Sequence, residues 1–96
     1  MTTRPSMPAV EYRHLWSRLV EMRQLDPEDE KLRALQRDFV RIGIRAGVVA
    51  PAADDGEMRD DTHLRAGVDW DHAEISLSAA ESDIVDRVAQ VTNVPE

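Results

Sequence analysis

Carboxylate and imidazole side chains of the type that bind metal ions cluster between residues 54 and 74. They are Asp54, Asp55, Glu57, Asp60, Asp61, His63, Asp69, Asp71, His72 and Glu74. These groups suit hard cations such as calcium. A calcium loop that began at Asp69, however, would need glycine at its sixth position, where this chain has Glu74. We therefore predict no metal site and no cofactor, and we interpret the cluster as a solvated acidic linker.

Groups for acid-base or nucleophilic catalysis are sparse. His14, His63 and His72 are the bases that titrate near neutral pH, and the chain has no cysteine. No strand-turn-helix elbow, glycine-rich phosphate loop or Ser/His/Asp arrangement is recognisable. We predict that the chain is not an enzyme by itself. A non-catalytic subunit of a larger enzyme complex stays open, because such a subunit needs no catalytic residue of its own.

A row of four arginines is the sharper chemical feature. Arg33, Arg37, Arg41 and Arg45 recur every four residues, which places them along one side of a helix. Guanidinium groups bind carboxylates in a bidentate manner, so the row suits an acidic protein surface. The alternatives are a solvated helix face and coverage by the chain's own acidic residues 54–74. The net charge of −7 and the lack of interleaved aromatic residues argue against nucleic acid.

A second row on the same helix is apolar. Val40 and Ile44 adjoin the arginine row, and a two-helix hairpin would leave both in water. Either a third helix of this chain or another protein must cover them. The predicted protein-binding residues are therefore Arg33, Arg37, Val40, Arg41, Ile44 and Arg45.

Two helices must position these residues. Apolar residues recur at spacings of three and four in two consecutive segments, Tyr12, Leu15, Leu19 and Met22 in the first, and Leu32, Leu35, Phe39, Ile42 and Ala46 in the second. The short connection predicts an antiparallel helical hairpin. Asp26 and Pro27 are predicted as N-cap and first residue of the second helix. Gly47 suits its left-handed end, while Gly43 either allows close backbone approach or weakens the last turn.

The remainder of the chain predicts a third helix. Ser78 and Glu81 have the spacing of a capping box, and an amphipathic pattern runs from there to Val94. Alternation over residues 73–77 would suit a short strand, but no second strand to pair with it is evident within the chain. Residues 1–8 are predicted to form a loose leader, because Pro5 and Pro8 disfavour helix before them.

Charge divides the 96 residues unevenly. Residues 1–50 hold nine Lys/Arg and seven Asp/Glu, whereas residues 51–96 hold three and twelve, so a balance of +2 precedes one of −9. The acidic half would meet a basic surface, of a partner or of the first half. No apolar run is long enough for a membrane span, so we expect no membrane association and a cytoplasmic location.

Part of the hairpin resembles a known family. Residues 15–22 (LWSRLVEM), 26–33 (DPEDEKLR) and 38–42 (DFVRI) are similar to the start of the conserved helical region of bacterial alternative sigma factors. In that family the region precedes the part that grips the polymerase clamp helices. The segments that melt and read promoters have no counterpart here. The resemblance implies a sigma-like or anti-sigma-like adaptor and not a working sigma factor.

We therefore expect a mostly α-helical fold in four parts, which are a flexible leader (1–8), a helical hairpin (9–48), a flexible acidic linker (49–72) and a C-terminal helix (73–96) packed on the hairpin or on a partner. The expected function is non-catalytic protein binding, as a regulatory adaptor or accessory subunit. The alternative is a structural helical homo-oligomer, and a homodimer is compatible with either.

Overall fold

The computed structural model describes residues 5–50 and 64–92 of the chain, and it confirms the mostly helical fold. In chain order the elements are strand β1 (Ser6–Pro8), helix α1 (Ala9–Leu25), helix α2 (Glu30–Ala46), strand β2 (Glu74–Ser76) and helix α3 (Ala79–Thr92). Helices α1 and α2 form the predicted hairpin, and α3 is the predicted C-terminal helix. Residues 54–61 and 63, which carry part of the predicted acidic linker, lie outside the described residues.

The start of α2 differs from the prediction. The N-cap is Asp29, whose Oδ1 accepts a hydrogen bond from the backbone N–H of Leu32 at 3.1 Å. Asp26 instead follows the end of α1, where its N–H donates to the carbonyl of Met22. Pro27 lies in the turn between the helices. The prediction of Asp26 as N-cap was wrong because two aspartates fit the local pattern and only one reaches a free helical N–H.

Both glycines of α2 have a physical role. Gly47 ends the helix with φ of 81°, and its N–H donates to the carbonyls of Gly43 and Ile44, which confirms the left-handed cap. Gly43 is a point of close approach. A Cβ atom there would lie 2.3 Å from both Tyr12 Oη and Val49 Cγ2, so only glycine lets these side chains meet the helix. Tyr12 also stacks on Phe39, with ring centroids 4.2 Å apart.

The strand pair was not expected within the chain. β1 and β2 are antiparallel, with Ser6 opposite Ser76, Met7 opposite Ile75 and Pro8 opposite Glu74. Met7 and Ile75 are both buried in the core. The predicted leader therefore supplies the missing partner strand. This strand was not predicted because a three-residue strand that follows Pro5 and ends in Pro8 carries no recognisable strand pattern.

Helix α3 closes the fold. Its predicted capping box is present, because Glu81 Oε1 accepts from the N–H of Ser78 at 2.9 Å and the N–H of Glu81 donates to Ser78 Oγ at 3.2 Å. The helix packs against both α1 and α2, and more extensively than those two pack on each other. Val85 and Val88 are fully buried. The third helix of the chain is thus an integral part of the core.

Residues 64–73 also pack on this core. Leu64, Val68 and Trp70 are partly buried against it, and Leu64 forms an isolated β-bridge with Val49. The Arg13 guanidinium lies 5.8 Å from the centroid of a Trp70 ring. Residues 64–72 were predicted as part of the flexible acidic linker. The structure instead holds them against the core through apolar contacts, which the acidic composition of the segment did not indicate.

Among the described residues, no helix is both long enough and apolar enough to cross a bilayer.

Candidate protein-binding surface

Helix α2 carries the predicted arginine row on its outer side. Arg33, Arg37, Arg41 and Arg45 are all exposed, while Leu32, Phe39 and Ile42 on the opposite side are buried. The separation follows from the helical repeat of about 100° per residue, which holds residues four apart on one side. The amphipathic pattern of the sequence therefore sets the orientation of the row.

Arg45, the last arginine of the row, is bound by other residues of the chain. Arg45 Nε lies 2.6 Å from Glu81 Oε2, and Arg45 Nη2 donates to the carbonyl of Ser76. One guanidinium thereby joins the end of α2 to β2 and to the capping box of α3. Arg45 thus has a structural role within the chain.

This contact acts on the ionisation of Glu81. Partial burial opposes the charged form, but hydrogen bonds from the Ser78 N–H and Ser78 Oγ and the nearby Arg45 charge outweigh it. Together they hold the pKa of the Glu81 carboxyl below its ordinary value. The carboxylate therefore stays ionised at neutral pH and holds both the helix cap and Arg45.

The first two arginines differ from Arg45. In the part of the chain that the structure describes, the side chains of Arg33 and Arg37 make no ion pair or hydrogen bond. Arg41 has an interaction of its own. Two guanidinium groups one helical turn apart, about 6 Å along the axis, are therefore available to a ligand. We call Arg33 and Arg37 the arginine pair.

The apolar row lies deeper than the arginines. Val40 is fully buried in the core cluster, and Ile44 is partly buried against it. Val40 therefore has no surface to offer a partner in this structure, and the chain's own core accounts for its apolar character. Ile44 keeps some exposure and lies on the same side of α2 as the arginine pair, two to three turns further along.

The groups considered for metal binding and catalysis are dispersed. Within residues 5–50 and 64–92, no three His, Asp or Glu side chains come together in a way that would hold a metal ion. His72 Nδ1 lies 3.1 Å from Asp69, but both side chains are exposed. His14 is exposed on α1. His63 and the acidic residues 54–61 lie outside the described residues.

A groove between helices α2 and α3 was not predicted from the sequence. It has a volume of about 550 Å³ and lies between the first half of α2 and the end of α3, with Met22 of α1 at one side. The wall on α2 consists of Lys31, Ala34, Leu35 and Asp38 beside Leu32. An amphipathic pattern cannot show where two neighbouring helices diverge. The only sequence signal was Leu35, a member of the apolar repeat of α2, with the small residue Ala34 beside it.

No protein-family model, curated protein or solved structure matches the chain.

Proposed function

We propose that this chain is a small non-catalytic protein-binding module that contacts an acidic protein surface through Arg33 and Arg37. The observation that carries the proposal is that both guanidinium groups are exposed and unpaired in the described chain, whereas Arg45 at the end of the same row is paired. An acidic helix with carboxylates four residues apart presents them at about the same 6 Å repeat, so both arginines can be paired together.

The neighbouring surface supports this kind of partner. Ile44 adds a partly exposed apolar contact on the same side of α2. Exposed ion pairs contribute at most about 1 kcal/mol each and are screened by salt. We therefore expect a weak, reversible complex whose affinity falls as ionic strength rises. Such reversible binding suits a regulatory adaptor or an accessory subunit.

The resemblance of residues 15–42 to alternative sigma factors indicates which partners to test first. That stretch spans most of α1 and more than half of α2; Arg33 lies in one of its similar segments, and Arg37 lies between two of them. RNA polymerase core and sigma factors are therefore the first candidates, and the proposed module would act as an adaptor in transcription.

A quantitative pull-down from the host tests the proposal. Tagged full-length protein is compared with R33E/R37E and with the matched control R18E/R65E, which changes the charge equally at two other exposed arginines. We expect an acidic partner to be captured by the original chain and by the control, and to be lost about tenfold or more from R33E/R37E. Equal capture by both double variants, or no specific capture by the original chain, would refute the proposal.

A further inference from the structure

The groove beside α2 has a wall with an unusual arrangement of charge. Lys31, Ala34, Leu35 and Asp38 all line it. At 100° per residue these four lie within an arc of about 100° on α2, so they form one stripe. Lys31 begins the stripe and Asp38 ends it, two helical turns or about 10 Å apart. The stripe therefore carries a positive charge at one end and a negative charge at the other.

These two charges have no partners within the described residues. Neither the Lys31 ammonium nor the Asp38 carboxylate makes an ion pair or a hydrogen bond there. They are also too far apart along the helix to pair with each other. Each is thus available to a charge of the opposite sign on another molecule.

The space between the charges is apolar. Ala34 is exposed and small, and Leu35 is half-buried. Across the groove, Val91 of α3 is 43% exposed, and among the described residues only Leu25 is another large apolar side chain with such exposure. A contact here would cover apolar surface that the chain leaves in water.

We propose that this groove is the interface of a two-fold symmetric homodimer in which the α2 helices of two copies cross antiparallel at Ala34 and Leu35. An antiparallel pair with its axis at that point places Lys31 of each copy opposite Asp38 of the other. The small side chain of Ala34 permits the close approach. Symmetry forms the ion pair twice, and Leu35 and Val91 become covered in both copies.

Charge complementarity favours a second copy over an unrelated partner. A uniformly acidic partner would pair Lys31 and repel Asp38, and a basic one would do the reverse. Only a surface with the same two charges in reverse order satisfies both. The stripe is neutral although the chain has a net charge of −7, and the other two charged residues that line the groove, Asp29 and Arg87, are of opposite sign, so the contact does not add net charge repulsion. The interface does not include Arg33 or Arg37, so it is independent of the proposed acidic partner.

A charge-swap experiment tests the dimer with the full-length chain. Sedimentation equilibrium over a wide concentration range measures the dissociation constant of the original protein, of K31E, of D38K and of the double variant K31E/D38K. Each single variant places like charges opposite each other at both symmetric contacts, so we expect the dimer to weaken about tenfold. The double variant exchanges the signs and restores pairing, so its dissociation constant should return to within about threefold of the original.

The rescue separates this interface from a general effect on folding or charge. R18E serves as control, since it changes the net charge as much as K31E at an exposed position on α1, and it should leave the dissociation constant within about twofold. A monomer at the highest concentration reached would overturn the proposal. So would a dimer that neither single variant weakens, or one that the double variant fails to restore. None of these outcomes bears on binding through Arg33 and Arg37.

Discussion

Gln36 of α2 is a polar side chain that lies entirely inside the core of the protein. Its exposed fraction is 0%, and neither its Nε2 nor its Oε1 has a hydrogen-bond partner among residues 5–50 and 64–92. A buried polar group without a hydrogen-bond partner destabilises the fold by its desolvation free energy, which is about 1–3 kcal/mol. Replacement by methionine, which has a similar shape and no amide, should therefore raise the free energy of unfolding by about 1–3 kcal/mol in urea denaturation.

A matched control separates the buried position from the substitution itself. Gln24 is exposed on α1, so Gln24→Met should change the free energy of unfolding by less than about 0.5 kcal/mol. A Gln36→Met protein that is less stable than the original would show that the amide is satisfied in solution, for example by a buried water molecule.

Substitution of Gly43 would test how closely Tyr12 of α1 and Val49 approach the backbone of α2. A methyl group there would meet Tyr12 Oη and Val49 Cγ2, each at 2.3 Å. We expect Gly43→Ala to lower the free energy of unfolding by about 1–3 kcal/mol, although alanine favours helix by about 1 kcal/mol. A Tyr12→Phe background removes the nearer atom, Oη, and leaves ring Cζ at 2.9 Å, so the same substitution should cost less there. An unchanged cost in the double variant would place the clash elsewhere.

At the scale of elements, β1 joins the start of the described chain to the segment that precedes α3. Met7 is fully buried opposite Ile75, and the N–H of Ala9 donates to the carbonyl of Ala73 at 2.9 Å. Met7→Ala would leave a cavity and should lower the free energy of unfolding by about 2–5 kcal/mol. Ser6→Ala on the half-exposed side of the same strand should change it by less than about 0.5 kcal/mol. If Met7→Ala also changed the free energy of unfolding by less than about 0.5 kcal/mol, β1 would be dispensable for stability.

The link between α2 and α3 predicts a dependence on pH. The pKa of Glu81 is lower in the folded chain than the ordinary value of 4.5, so its contribution to stability is fully present above about pH 4.5 and is lost as the pH falls through the folded pKa. Glu81→Gln should therefore be less stable than the original at pH 7, by up to about 1 kcal/mol. Urea denaturation at pH 3 should show a smaller difference. A difference of the same size at both pH values would exclude the charge as its cause.

At the scale of the whole molecule, one core includes residues from every element. The same buried cluster contains one residue or more from each strand and helix, among them Met7, Trp16, Phe39, Ile75 and Val85. Trp70 packs on it from the segment before β2. We therefore expect one cooperative unfolding transition. Fluorescence of Trp16 in a Trp70→Phe chain, and of Trp70 in a Trp16→Phe chain, should give the same midpoint as circular dichroism of the same variant. An earlier fluorescence midpoint for Trp70 would show that residues 64–73 detach first.

The sequence by itself determined the features that depend on residues up to four apart. The apolar seams, the arginine row, the left-handed Gly47 and the capping box of Ser78 and Glu81 all follow from the helical repeat and from local hydrogen bonds. Among the helix-cap predictions, the one that failed was the start of α2, where the local pattern had two solutions, Asp26 and Asp29.

Tertiary structure alone decided which of these features are exposed or engaged. The pairing of Met7 with Ile75, the contact of Arg45 with Glu81 and the burial of Val40 join residues far apart in the chain or depend on such contacts. Four arginines with the same spacing thus differ in their contacts. Arg45 binds Glu81 within the chain, Arg41 has an interaction of its own, and Arg33 and Arg37 lack a partner in the described residues. The spacing puts all four on one side of α2, but where α3 begins decides which arginine finds a carboxylate, because an ion pair needs its groups within about 4 Å.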